Sequence, residues 1–147
     1  MLYSDLKGRK LVDTSSADTV GKVDGFLLDP ATQSIAGLEF KKTDGGDTVA
    51  WTVITAVGDD AVTIPNASVL VEPEGRLAEL ASKRGSVLKK RVLTDGGDDL
   101  GEVRDVDLDP SSGSVRELVV GPKKSPTHVA GARILGVGSY AVVVKGE

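Results

Sequence analysis

The stretch DVDLDP at residues 105–110 sets Asp105, Asp107 and Asp109 at alternate positions. Carboxylates so spaced could gather a divalent cation, or divide acid and base work if their surroundings held their pKa values apart. Calcium needs roughly six to eight oxygens from a shaped loop. The loop order D-x-[DN]-x-[DN]-G is broken here and again in DGGDDLGE at 95–102. Cysteine is absent and His128 is the single histidine, which removes disulfides, thiolate nucleophiles and thiolate metal sites. No G-x-S-x-G lies near His128. The two DGGD segments, 44–47 and 95–98, lack the strand, glycine loop and helix order that cradles phosphate. The sequence therefore predicts no catalytic, cofactor-binding or metal-ligating residue, and the three aspartates need another explanation.

That explanation begins with a repeat. Residues 12–40 lie over 92–120, and 49–62 over 129–142, at a constant offset of 80 without a gap. Between 10 and 64 the offset matches 18 of 55 positions, against roughly one in ten for chance pairing in such a composition. Each copy reads as short strands. In the first they fall near Lys10–Thr14, Val20–Leu28, Ile35–Phe40, Val49–Ile54, Ala61–Ile64 and Val69–Glu72. In the second they fall near Arg91–Thr94, Leu100–Leu108, Val115–Val120, Val129–Leu135 and Ala141–Lys145. Between the copies, PEGRLAELASKRG reads as a helix with Lys83 and Arg84 in its last turn, Gly85 as its cap, and Leu77, Leu80 and Ala81 on one face.

The carboxylates now fall into place. Asp29-Pro30 and Asp109-Pro110 occupy equivalent sites, where Asp caps a type I turn and Pro presets φ. Gly113 supplies the left-handed residue of the hairpin, whereas Gln33 stands there in the first copy and predicts a strained or differently built turn. Val103 is out of phase with Val106 and Leu108, as Val23 is with Phe26 and Leu28. A bulge at Asp24–Gly25 and at Arg104–Asp105 would return all of them to the core and turn Asp105 and Asp107 outward. Leu27 aligns with Asp107, so one copy carries a large apolar residue where the other carries a charge. Leu27 is thus expected to mark inter-copy packing or a partner surface. Trp51 aligns with Gly131 and predicts core or inter-copy packing.

The residues VGKVDGFLLDPATQSIAGLEF with WTVITAVGDDAVTI, and LGEVRDVDLDPSSGSVRELVV with ARILGVGSYAVVV, resemble the PRC-barrel family. That fold is seen in the cytoplasmic part of the photosynthetic reaction centre H subunit and in the C-terminal domain of the ribosome maturation factor RimM. The resemblance implies an all-β chain of two tandem small barrels: copy one at 1–72, a helical linker at 73–85, and copy two at 86–147. It further implies a non-enzymatic adaptor that binds other proteins and assembles complexes, sometimes beside a membrane, without a cofactor. An RNA-linked role like that of RimM is the alternative. The second copy stops where the first copy's last strand would begin, which leaves a sheet edge for the linker, the first copy or a second chain to close; a homodimer is one of these expectations. Net charge is −4, which argues against nucleic acid. The charge is uneven: 6 basic and 11 acidic side chains in 1–72, against 12 and 11 in 73–147. Lys83, Arg84, Lys89, Lys90 and Arg91 cluster at the junction, and Leu27, Lys89, Lys90 and Arg91 form the expected contact surface. No apolar run approaches the roughly 20 residues of a membrane-spanning helix. The expected location is cytoplasmic, with the inner membrane face as a peripheral site.

Overall fold

Runs rich in Val, Ile and Leu, punctuated by Gly, Asp and Pro, build strands here because branched side chains pack well on a pleated surface. The structure is a computed structural model that describes residues 1–81 and 87–146. Helix α1 (Tyr3–Leu6) precedes β1 (Lys10–Asp13), β2 (Asp18–Asp29), β3 (Ser34–Lys41), β4 (Thr48–Ala50), β5 (Ala56–Val57) and β6 (Ala61–Ile64). Helix α2 (Arg76–Ala81) leads to β7 (Arg91–Thr94), β8 (Asp99–Leu108), β9 (Val115–Val120), β10 (Thr127–Ala130), β11 (Ile134–Val137) and β12 (Ala141–Val144). The chain is mostly β, as two six-stranded sheets of identical order, β4-β3-β2-β1-β6-β5 and β10-β9-β8-β7-β12-β11. The pairs β1–β6 and β7–β12 are parallel and the rest antiparallel.

The bulges fall where the broken alternation places them, between Val23 and Gly25 and between Val103 and Asp105. They send Val23, Phe26 and Leu28, and likewise Val103, Val106 and Leu108, into the core. A second irregularity, at Leu27/Leu28 and Asp107/Leu108, carries no signal in the alternation. Gln33 adopts a φ of 55°, close to the 79° of Gly113, so the first hairpin does hold a side chain in the left-handed region.

Three readings change. The spans 49–54 and 129–135 are not continuous strands: 3-10 turns at Trp51–Val53 and Gly131–Arg133 form corners before β5 and β11. These corners are required because β5 and β11 pair with β6 and β12, at the opposite end of the sheet order from β4 and β10. In place of a strand at 69–72, a 3-10 turn at Ala67–Val69 is followed by a bridge from Val71 to Thr48 at the outer edge of β4. No such bridge covers β10 among the described residues. The repeat is also not gapless. Leu11 pairs with Gly21 while Val92 pairs with Gly101, so the first strands are offset by 81 and the β1–β2 turn holds one extra residue.

The two copies form one body. Ser34 and Ser114 make a bridge flanked by Ile35 N–H donating to Gly113 O (2.8 Å) and Val115 N–H donating to Gln33 O (3.0 Å). Those two bonds exchange under the 80-residue offset, which is the signature of a local two-fold axis. Around it, α1 packs on β8 of the second copy and α2 on β2 of the first. The buried residues of both copies join in a single apolar cluster.

Close approach makes Gly131 irreplaceable, since an added Cβ would lie 1.9 Å from Val115 O. Gly131→Ala is expected to cost about 3 kcal/mol or more in urea denaturation. Gly136→Ala, with nothing within 4 Å of the new methyl, should stay within about 0.5 kcal/mol.

Candidate interaction surfaces

All three aspartates of the opening stretch have partners inside the molecule. Asp105 Oδ1 accepts from Ser4 N (3.1 Å) and from Val106 N (2.8 Å), while its other oxygen accepts from the Ser4 hydroxyl. Asp107 Oδ1 accepts from the Met1 ammonium at 3.0 Å. Asp109 caps its turn through Ser111 N (2.9 Å) and Ser111 Oγ (2.7 Å); the Ser111 hydroxyl bond chiefly holds its carboxyl below the usual range. Asp105 and Asp107 thus receive α1, and no group of three or more metal-ligating side chains forms among the described residues.

The equivalent face of the first copy is apolar. Leu27 is not a surface residue; it is 6% exposed and lines the same cleft as Leu80 of α2. Burying such a side chain is worth roughly 1.5–3 kcal/mol. Asp29 does more than cap a turn. It accepts from Ala31 N (2.9 Å) and takes a two-pronged contact from Arg76 of α2, Nη2 to Oδ1 at 2.7 Å and Nε to Oδ2 at 3.1 Å. The Arg76 hydrogen bonds hold the Asp29 carboxyl below its ordinary value.

The basic cluster divides in the same way. Lys90 is buried and its Nζ donates to Gly138 O at 2.6 Å. Arg9 makes the same bond to Gly58 O in the first copy, so both cations are clasps on the β5–β6 and β11–β12 turns. Lys90 therefore drops out of the expected contact surface. Arg91 is held by Asp99 (2.8 Å) and Glu102 (3.3 Å). Lys89 is exposed, with a φ of 71° where the first copy has Gly8. Lys83, Arg84 and Gly85 lie outside the described residues.

Trp51 joins the copies: a Cβ on Gly113 would meet its indole at 2.9 Å. At the symmetric place, Gln33 Nε2 donates to Ala132 O (2.8 Å) and Ile134 O (3.0 Å), over the turn that contains Gly131. The contact is therefore made on both sides of the axis, by an indole on one and by hydrogen bonds on the other.

A cleft of about 770 Å³ lies between the copies, lined in part by Tyr3, Phe26, Leu27, Glu39 and Val137. Burial, then Asp24, Glu39 and Asp105, push the Tyr3 phenol up. Burial, then Asp47 and Asp24, raise the Glu39 carboxyl. A phenol kept protonated by neighbouring carboxylates is the opposite of an activated nucleophile. His128 lies on the exposed strand β10 with only a 3.8 Å approach from Glu117.

The model of the PRC-barrel domain family matches residues 1–71 and again 81–145. No curated protein matches the chain.

Because Asp29 titrates lower when folded, its stabilising pair with Arg76 is complete above about pH 4 and is lost as pH falls through the depressed folded value. Arg76→Gln should lower Tm by about 2–5 °C at pH 7, and the gap from wild type should narrow as pH falls through the depressed folded value of Asp29. Melts that stay separated by the same interval down to pH 2 would remove the pair from the account of acid stability.

Proposed function

The chain belongs to the PRC-barrel family, and from that premise we propose that it works as a tandem adaptor, a non-catalytic module that binds partner proteins and assembles them. One observation carries the reading. The two copies are welded through a shared core and a two-fold backbone bridge, yet their outer faces differ in charge and shape. A rigid body with two unlike faces suits the holding of two unlike partners in a set geometry. The inner membrane face is a proposed working place reached through a partner, and homodimerisation is one form the assembly could take. No helix among the described residues is long and apolar enough to cross a membrane.

The RNA-linked reading is less well supported. Tyr3, Phe26 and Phe40 are buried and Trp51 is packed on Gly113, which leaves Tyr140 as the one strongly exposed aromatic ring. One ring is no stacking platform for bases, and a net charge of −4 opposes the phosphate backbone.

In vivo crosslinking with mass spectrometry, applied to the full chain in its native host, should return a reproducible protein partner. RNA gel shifts should vanish at about 150 mM salt. Repeated recovery of RNA but no protein would overturn the adaptor reading.

A further inference from the structure

The second copy carries a groove of about 650 Å³ on its outer face, where the approach to β7, the strand β8 and the turn after β9 meet. Its apolar lining comes from Leu88, Gly101, Gly121 and Pro122, while the Val103 side chain turns into the core beneath. Backbone meets backbone there, since a Cβ on Gly101 would lie 3.2 Å from Gly121 Cα. Around the floor stand Lys89, Arg91 and Arg104, with Glu102 as the one acid. Arg91 is already engaged by Asp99 and Glu102, which also accounts for that acid. Lys89 and Arg104 are exposed, and their side chains make no hydrogen bond or ion pair with the described residues.

The first copy has no equivalent. Asp24 replaces Arg104 and Gly8 replaces Lys89. Thr43 lies against Gly21, its Cγ2 2.8 Å from where a Cβ would be, and so covers the position of Gly101. Among the described residues, two cations without an ion pair beside this apolar lining are therefore a property of copy two alone.

Resting on the adaptor reading above, we propose that this groove docks an extended acidic peptide segment of a partner protein. One apolar anchor of that peptide lies over Gly101 and Gly121, and its carboxylates meet Lys89 and Arg104. Charge complementarity selects the class. An exposed ion pair is worth little alone, so the apolar floor must add the remaining affinity, and a peptide supplies both in alternation. A membrane or nucleic acid presents a broad anionic surface and calls for an extended basic face, whereas the groove offers two exposed cations, Lys89 and Arg104. Micromolar affinity is the expected range for so small a footprint.

The test is selection of a random heptapeptide display library on the full chain. Acidic peptides with a central apolar residue should be enriched, and their binding should fall at least tenfold on the Lys89→Glu, Arg104→Glu double variant. The matched Lys123→Glu, Lys124→Glu variant, which changes charge equally in an exposed loop, should bind as wild type. A consensus without acids, no enrichment, or equal loss in both variants overturns the proposal. So does sedimentation with phosphatidylserine vesicles at about 150 mM salt that only the groove variant abolishes, which would assign the site to lipid. A native partner that still binds the groove variant overturns the groove and leaves the adaptor reading standing; the absence of any partner overturns both.

Discussion

Two reciprocal backbone hydrogen bonds across Ser34 and Ser114 set the relation of the two copies, and the rest of the molecule is arranged about them. Buried backbone pairs of this kind tolerate little displacement, because a lost bond leaves donor and acceptor unsatisfied. They bring the two Asp-Pro hairpins together and leave each preceding helix lying across the other copy's longest strand. What the sequence presents as beads on a string is a crossed pair: α1 belongs by contact to the second sheet and α2 to the first. A single core follows directly from that crossing.

The crossing also explains why the copies diverged where they did. Equivalent positions 25 and 105, and 27 and 107, receive helices of different character. Asp105 and Asp107 bind the polar start of the chain, while Leu27 takes an apolar helix face pinned at its far end by Arg76 on Asp29. Trp51 over Gly113 and Gln33 over the turn at Gly131–Arg133 repeat the logic, apolar on one side of the axis and hydrogen-bonded on the other. Divergence at these positions serves the internal interface. Divergence of outward function has to be sought elsewhere, and the uncovered floor beside Lys89 and Arg104 is such a place.

Sequence spacing was a good guide to residues that act locally. The bulges, the Asp-Pro turns and the left-handed Gln33 were legible because alternation, turn chemistry and φ preference operate within a few residues. The cluster Lys89, Lys90 and Arg91 was misleading for the same reason. Lys90, just ahead of β7, turns inward to Gly138 O while Lys89 stays at the surface, a difference set by a contact 48 residues away. The one signal that could have found this was Arg9, the first copy's clasp. The gapless offset hid it, because an extra residue in the β1–β2 turn moves the true equivalence to 81.

The amino-acid sequence by itself determined the duplication, the β class and the central hairpin of each copy, since the repeat, the alternation and the turns are properties of short segments. It also excluded cysteine chemistry outright. Only the tertiary structure decided which faces are free. Whether Leu27, Asp105, Asp107 or Lys90 meets solvent depends on contacts between residues up to about a hundred positions apart. Those contacts follow from how each sheet closes and how the two copies dock, and no local periodicity encodes either.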